Sequence, residues 1–113
     1  MGKRIREVRR VALDRAGAFR CDVYQWLLDP ANVDVWRRFE AEANRVWLNK
    51  ANKHYSARTI VEYLRHHSAA NDSGADFKIN DHHAPVLARL WTFLYPERQG
   101  FFELRGFVAG VAA

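Results

Sequence analysis

The chain has 113 residues, 49% of them hydrophobic, and a formal net charge of +5. Its length allows one domain with a real core and excludes two, and its four Trp, four Tyr and seven Phe exclude a disordered chain. The single cysteine, Cys21, excludes an internal disulfide, and no apolar run approaches the roughly 18 residues of a membrane span. We therefore expect one soluble, cytoplasmic domain over residues 1–113.

The positive charge is concentrated at the start of the chain. Residues 1–20 carry seven cationic and two acidic side chains, whereas residues 21–113 carry eleven of each sign. The seven cations are Lys3, Arg4, Arg6, Arg9, Arg10, Arg15 and Arg20. Such a basic N-terminal helix or arm is typical of polyanion binding, but it is equally compatible with a solvated helix face. Both interpretations remain open at this point.

The first half of the chain predicts two helices with an ambiguous segment between them. Residues 2–16 place apolar side chains on one helical face, and residues 21–24 fit either a short strand or the beginning of a helix. Asp29-Pro30 is a turn or helix-start signal, and a long helix is predicted over residues 34–50. The apolar stripe of that helix is Trp36, Phe39, Ala43, Val46, Trp47 and Lys50. Its spacing also allows the ion pairs Arg37–Glu40 and Glu42–Arg45.

The second half predicts two more helices and two short strands. Ser56 is expected to cap a helix that ends near His67. A loop over residues 68–76 and a strand over residues 77–79 are predicted to follow that helix. The last helix begins at Asn80 or Asp81, and Pro96 stops it. Its core stripe is Leu87, Leu90, Trp91 and Leu94. A second strand over residues 101–104 would complete an α+β fold, in which residues 34–105 form a mostly helical core with a small two-stranded sheet.

This order of elements is similar to a winged helix, in which the last helix would enter a nucleic-acid groove. Two observations oppose that use of the helix: the preceding connection far exceeds a 3–4-residue turn, and Arg89 is its only outward cation. Phosphate contact by the basic segment, most simply with duplex DNA, is the stronger hypothesis. The predicted nucleic-acid-binding residues are Lys3, Arg4, Arg6, Arg9, Arg10, Arg58, Lys78 and Arg89.

The sequence offers no recognisable catalytic or metal-binding pattern. Its histidines are His54 and the adjacent pairs His66-His67 and His82-His83, and neighbours on a helix point about 100° apart, so neither pair can chelate one ion. No HxxxH spacing, G-x-S-x-G elbow, Walker motif or G-x-G-x-x-G loop is present. We therefore expect a protein without catalytic residues, metal or cofactor.

Several short motifs occur together in residues 36–105. They are HYSA at 54–57, the spacing I-x-x-x-x-R from Ile60 to Arg65, FKIN at 77–80, P-x-x-ARL at 85–90, PE at 96–97 and FFELR at 101–105. This combination resembles a family of small uncharacterised bacteriophage and prophage proteins, over about three-fifths of the chain. His66 departs from the pattern, which usually has Trp there, and so does the Asp81-His82-His83 run. The resemblance implies a phage-associated setting in a bacterial host cell, and it implies no mechanism.

A second hypothesis is an inhibitor or adaptor that binds a host protein or a second copy of this chain. It rests on apolar side chains expected at the surface, and exposed aromatic groups mark interaction sites. These side chains are Val86, Phe93, Phe101, Phe102 and Phe107.

Overall fold

A computed structural model describes residues 2–49, 54–71 and 83–102, and these residues form a helical globule. Its α-helices are α1 (Ile5–Asp14), α2 (Val23–Trp26), α3 (Pro30–Leu48), α4 (Ala57–Asn71) and α5 (His83–Leu94). Short 3₁₀ turns over Ala16–Ala18 and Pro96–Arg98 follow α1 and α5. The ambiguous segment at residues 21–24 is therefore resolved in favour of a helix. None of the described helices is long and apolar enough to cross a membrane.

Side-chain caps fix where three of the helices begin. The Asp22 carboxylate accepts a bond from the backbone N–H of Gln25 at 3.0 Å, which starts α2. The Asp29 carboxylate accepts from Ala31 at 2.9 Å, so α3 begins at Pro30, four residues earlier than predicted. Ser56 caps α4 as predicted, because its hydroxyl accepts from the N–H of Thr59 at 3.3 Å.

Helix α5 lies at the centre of the globule and packs against α1, α3 and α4. Its predicted stripe of Leu87, Leu90, Trp91 and Leu94 is buried, which confirms that part of the prediction. Arg89 and Thr92 are buried as well, because neighbouring helices cover α5 on several sides. A helix surrounded in this way cannot lie in a nucleic-acid groove.

An aromatic cluster joins α3, α5 and the segment after the last 3₁₀ turn. The rings of Phe101 and Trp47 are 5.2 Å apart edge to face, and those of Phe102 and Trp91 are 4.9 Å apart. Phe102 also lies 5.8 Å from Phe39. Such pairs add specific ring geometry to the burial of large apolar area, so this cluster anchors the end of the described chain.

The predicted α+β fold is wrong for the part of the chain that the structure describes. That part contains no β-strand, and its one strand-like pairing is a single parallel bridge between Tyr55 and Phe102. Phe101 and Phe102 are each only 2% exposed, so they do not alternate between a buried and a solvated face as strand residues would. Without the two strands, the order of the described elements no longer resembles a winged helix. The strand predicted at 77–79 and residues 103–104 lie outside the described residues.

The basic segment contains a packed helix and is not a detached arm. Val8 and Ala12 of α1 are buried, and the helix contacts both α2 and α5. Residues 2–4, called the tail below, precede α1 and lie against α3, where Lys3 meets Glu40. Removing residues 1–20 would therefore open the core.

Candidate nucleic-acid interface

A basic cleft lies beside the tail, between the beginning of α1 and the middle of α3. Its volume is about 480 Å³. The residues that line it are Gly2, Lys3, Arg4, Ile5, Arg6 and Arg37. Four of these six side chains are cationic and none is acidic, so the cleft concentrates positive charge where a phosphate could enter.

Four arginines at or near this cleft are available to a ligand. Arg4, Arg6 and Arg37 line it, and Arg10 lies one helical turn beyond Arg6. All four side chains are exposed, and none has an ion pair or side-chain hydrogen bond to any residue that the structure describes. Like charges four residues apart on a helix repel each other slightly. An anion between these guanidinium groups would relieve that repulsion.

The start of α1 adds backbone donors to the same cleft. Arg4 occupies the N-cap position without a side-chain cap, and the first helical bond runs from Val8 N–H to Arg4 C=O at 3.0 Å. The N–H groups of Ile5, Arg6 and Glu7 precede that bond and have no partner within the helix. The positive end of the helix dipole favours an anion here, while Glu7 in the first turn offsets part of it.

The other cations of the basic segment have structural contacts. Lys3 Nζ lies 4.9 Å from the centre of the Tyr95 ring, and the Arg15 guanidinium lies 4.9 Å from that of Phe93. Arg9 Nε donates to the carbonyl oxygen of Leu27 at 3.0 Å. Arg9 therefore ties α1 to the end of α2 and is less available than predicted.

Arg37 is the residue that sequence reasoning missed. Of the two predicted ion pairs on α3, Glu42–Arg45 forms, with Arg45 Nε donating to Glu42 at 3.0 Å, and this bond raises the pKa of Arg45. Glu40 instead faces the tail, which leaves Arg37 to line the cleft.

Three predicted binding residues lie away from the cleft or outside the described part. Arg58 is exposed on α4 and lies 3.7 Å from Glu62. Arg89 is only 3% exposed, and burial lowers the pKa of its guanidinium, so it is a core residue and not a surface cation. Lys78 lies outside the described residues.

The apolar surface predicted for a protein partner is mostly buried. Phe101 and Phe102 belong to the aromatic cluster, and Val86 and Phe93 are half-buried against the core. Phe107 lies outside the described residues.

The histidines that the structure describes do not converge, and His82 lies outside the described residues. His54 Nδ1 lies 3.2 Å from the carbonyl oxygen of Gly100, His67 contacts the Tyr63 ring, and the ring of His83 lies 5.2 Å from that of Trp26. Within residues 2–49, 54–71 and 83–102, no three His, Cys, Asp or Glu side chains are grouped to hold a metal ion.

Comparison with protein-family models, curated proteins and solved structures gives no match for this chain.

Proposed function

We propose that this protein binds the phosphate backbone of nucleic acid, with duplex DNA as the preferred ligand, and that it acts as an accessory factor without catalysis. The observation that carries the proposal is the convergence of Arg4, Arg6 and Arg37 on one cleft. These three arginines have no ion pair with a described residue, and none of the described residues that line the cleft is acidic. A phage-associated setting in a bacterial cell is a further part of the proposal, supported by the sequence motifs alone.

The chemistry of the cleft suits phosphate better than bases. A guanidinium group presents a planar fork of donors that matches phosphate oxygens, and the N–H groups at the start of α1 point to the same ligand class. Reading base edges would need a helix or strand that can enter a groove, and α5 is buried. Binding is therefore expected to depend little on sequence and strongly on salt.

The affinity of the full chain for a labelled DNA duplex, measured by fluorescence anisotropy across a salt series, tests this proposal. Three or four phosphate contacts predict that log K falls against log salt with a slope of about −3 to −4. A protein that does not bind the duplex at low salt contradicts the proposal.

A matched pair of double variants localises the contact. Arg6→Ala/Arg37→Ala removes two cleft arginines, while Arg38→Ala/Arg45→Ala removes two exposed arginines that are ion-paired on α3. Both variants lose the same charge. We expect the first to lower the magnitude of the salt slope by about 2 and the second to change it by less than about 1. Equal effects would mean that net charge, and not the cleft, determines binding.

A further inference from the structure

We infer that Glu40 is a positioning residue for the basic cleft: its buried carboxylate holds the tail so that Arg4 and Arg6 face Arg37 before a phosphate arrives. The consequence for binding rests on the proposed function, whereas the geometry rests on the contacts of Glu40 itself. Glu40 lies on α3 within a stripe of core residues and is only 3% exposed.

The Glu40 carboxylate joins the tail to the core through two hydrogen bonds. One oxygen, Oε2, accepts from the backbone N–H of Lys3 at 2.8 Å and from the Tyr95 hydroxyl at 2.9 Å. The Tyr95 oxygen in turn accepts from Asn44 Nδ2 at 3.1 Å. Asn44 Oδ1 accepts from Trp91 Nε1 at 2.9 Å, so the bonds continue to α5.

Gly2 permits the close approach of the tail to this carboxylate. A methyl group at the Cα of Gly2 would meet the Glu40 carboxylate, with its carbon 2.9 Å from Cδ and nearer still to Oε1. The carboxylate could move away only by disturbing its bonds to Lys3 and Tyr95. Lys3 adds a third contact, because its ammonium group lies over the Tyr95 ring.

These contacts explain why a carboxylate is useful at this buried position. Burying a charge is costly unless hydrogen bonds compensate, and an apolar side chain would fill the site without that cost. The carboxylate provides an acceptor for the tail that an apolar side chain cannot provide. A tail that is already ordered loses less conformational entropy on binding, which favours affinity.

Two substitutions of Glu40 separate positioning from charge. Glu40→Gln and Glu40→Leu remove the same negative charge near the cleft, but only the glutamine keeps an acceptor for the Lys3 N–H. We expect Glu40→Gln to bind the duplex at least as tightly as the unmodified protein. We expect Glu40→Leu to bind about tenfold more weakly than Glu40→Gln, because the tail must then be ordered on binding.

A pair of glycine variants repeats the test without changing charge. Gly2→Ala places its methyl group against Glu40, whereas a methyl group at Gly17 meets no atom of the described residues within 4 Å. We expect Gly2→Ala to weaken binding several-fold and Gly17→Ala to leave it unchanged. Because both glycine variants keep Glu40, they still test whether docking of the tail affects binding if Glu40→Leu fails to fold.

Hydrogen exchange of the Lys3 amide reports docking of the tail independently of DNA. Slow exchange in the unmodified protein and in Glu40→Gln, with fast exchange in Glu40→Leu, is the expected result. If the tail is released but Glu40→Leu and Gly2→Ala bind DNA as tightly as their controls, the inference is overturned and the proposed function stands. If the unmodified protein binds no DNA, the proposed function and this inference are both contradicted.

Discussion

Arg37 and Arg38 are consecutive residues of α3, but only Arg38 is ion-paired to a described residue, with its Nε 2.9 Å from a carboxylate oxygen of Asp34. Arg37 lines the basic cleft opposite the tail. The two side chains have the same charge and lie on the exposed part of the same helix. Their difference in partners makes them a matched pair for separating a specific phosphate contact from general electrostatic attraction.

We expect Tyr95→Phe to destabilise the fold. The substitution removes the hydroxyl that donates to Glu40 and accepts from Asn44, and Tyr95 is only 6% exposed. A hydrogen bond to a charged group contributes about 1.5–3 kcal/mol, so the free energy of unfolding in urea should fall by about that amount.

Tyr63→Phe is the control for this substitution. Tyr63 is 42% exposed and has no hydrogen bond to the described residues. Removing its hydroxyl should therefore change the free energy of unfolding by less than about 0.5 kcal/mol. Equal effects of the two substitutions would show that the Glu40–Tyr95 bond contributes nothing to stability.

The same tyrosine predicts how stability changes in alkali. Burial raises the pKa of the Tyr95 phenol above its usual value near 10, the bond from Asn44 opposes this shift, and Glu40 adds to it. Because the folded state then retains the proton longer than the unfolded state, the stabilisation is complete below about pH 10 and is lost as pH rises through the folded pKa.

The measurement is the free energy of unfolding as a function of pH, with Tyr95→Phe as the comparison. The variant should lose less stability than the parent above about pH 10. Both proteins should carry Cys21→Ser, because desolvation and the neighbouring Asp22 raise the pKa of that thiol as well. Identical pH profiles for the two proteins would contradict the assignment to Tyr95.

The cap of α3 gives a prediction that is independent of the cleft. Asp29→Ala removes the acceptor of the Ala31 N–H and should lower the free energy of unfolding by about 1 kcal/mol. Asp29→Asn keeps a capping oxygen and should stay within a few tenths of a kcal/mol of the parent. A loss as large for asparagine as for alanine would assign the effect to the charge of Asp29 and not to the cap.

Local signals in the sequence predicted where the helices lie, but α4 continues to Asn71, into the segment predicted as a loop over residues 68–76. Apolar spacing identified most of the buried faces of α3 and α5, and Ser56 marked the beginning of α4. The sheet was predicted from short apolar runs, which do not by themselves distinguish a strand from an aromatic segment packed into a core. Phe101 and Phe102 illustrate this ambiguity, because both are buried side by side.

The site could be predicted only in part, because it depends on contacts between distant residues. The charge of the first twenty residues identified Arg4 and Arg6, but the role of Arg37 depends on the tail lying against α3. Two features of the sequence were nevertheless signals of which charged residues are buried. Glu40 falls within the apolar stripe of α3, and α5 carries apolar residues on all sides, which is typical of a buried helix and places Arg89 inside.

The affinity of Arg37→Ala for duplex DNA, compared with that of Arg38→Ala at the same salt concentration, tests the central claim most directly. Both variants lose one exposed positive charge of α3. We predict that Arg37→Ala binds several-fold more weakly than Arg38→Ala and that the magnitude of its salt slope is lower by about 1. Equal affinities and equal slopes for the two variants would contradict a phosphate site at the basic cleft.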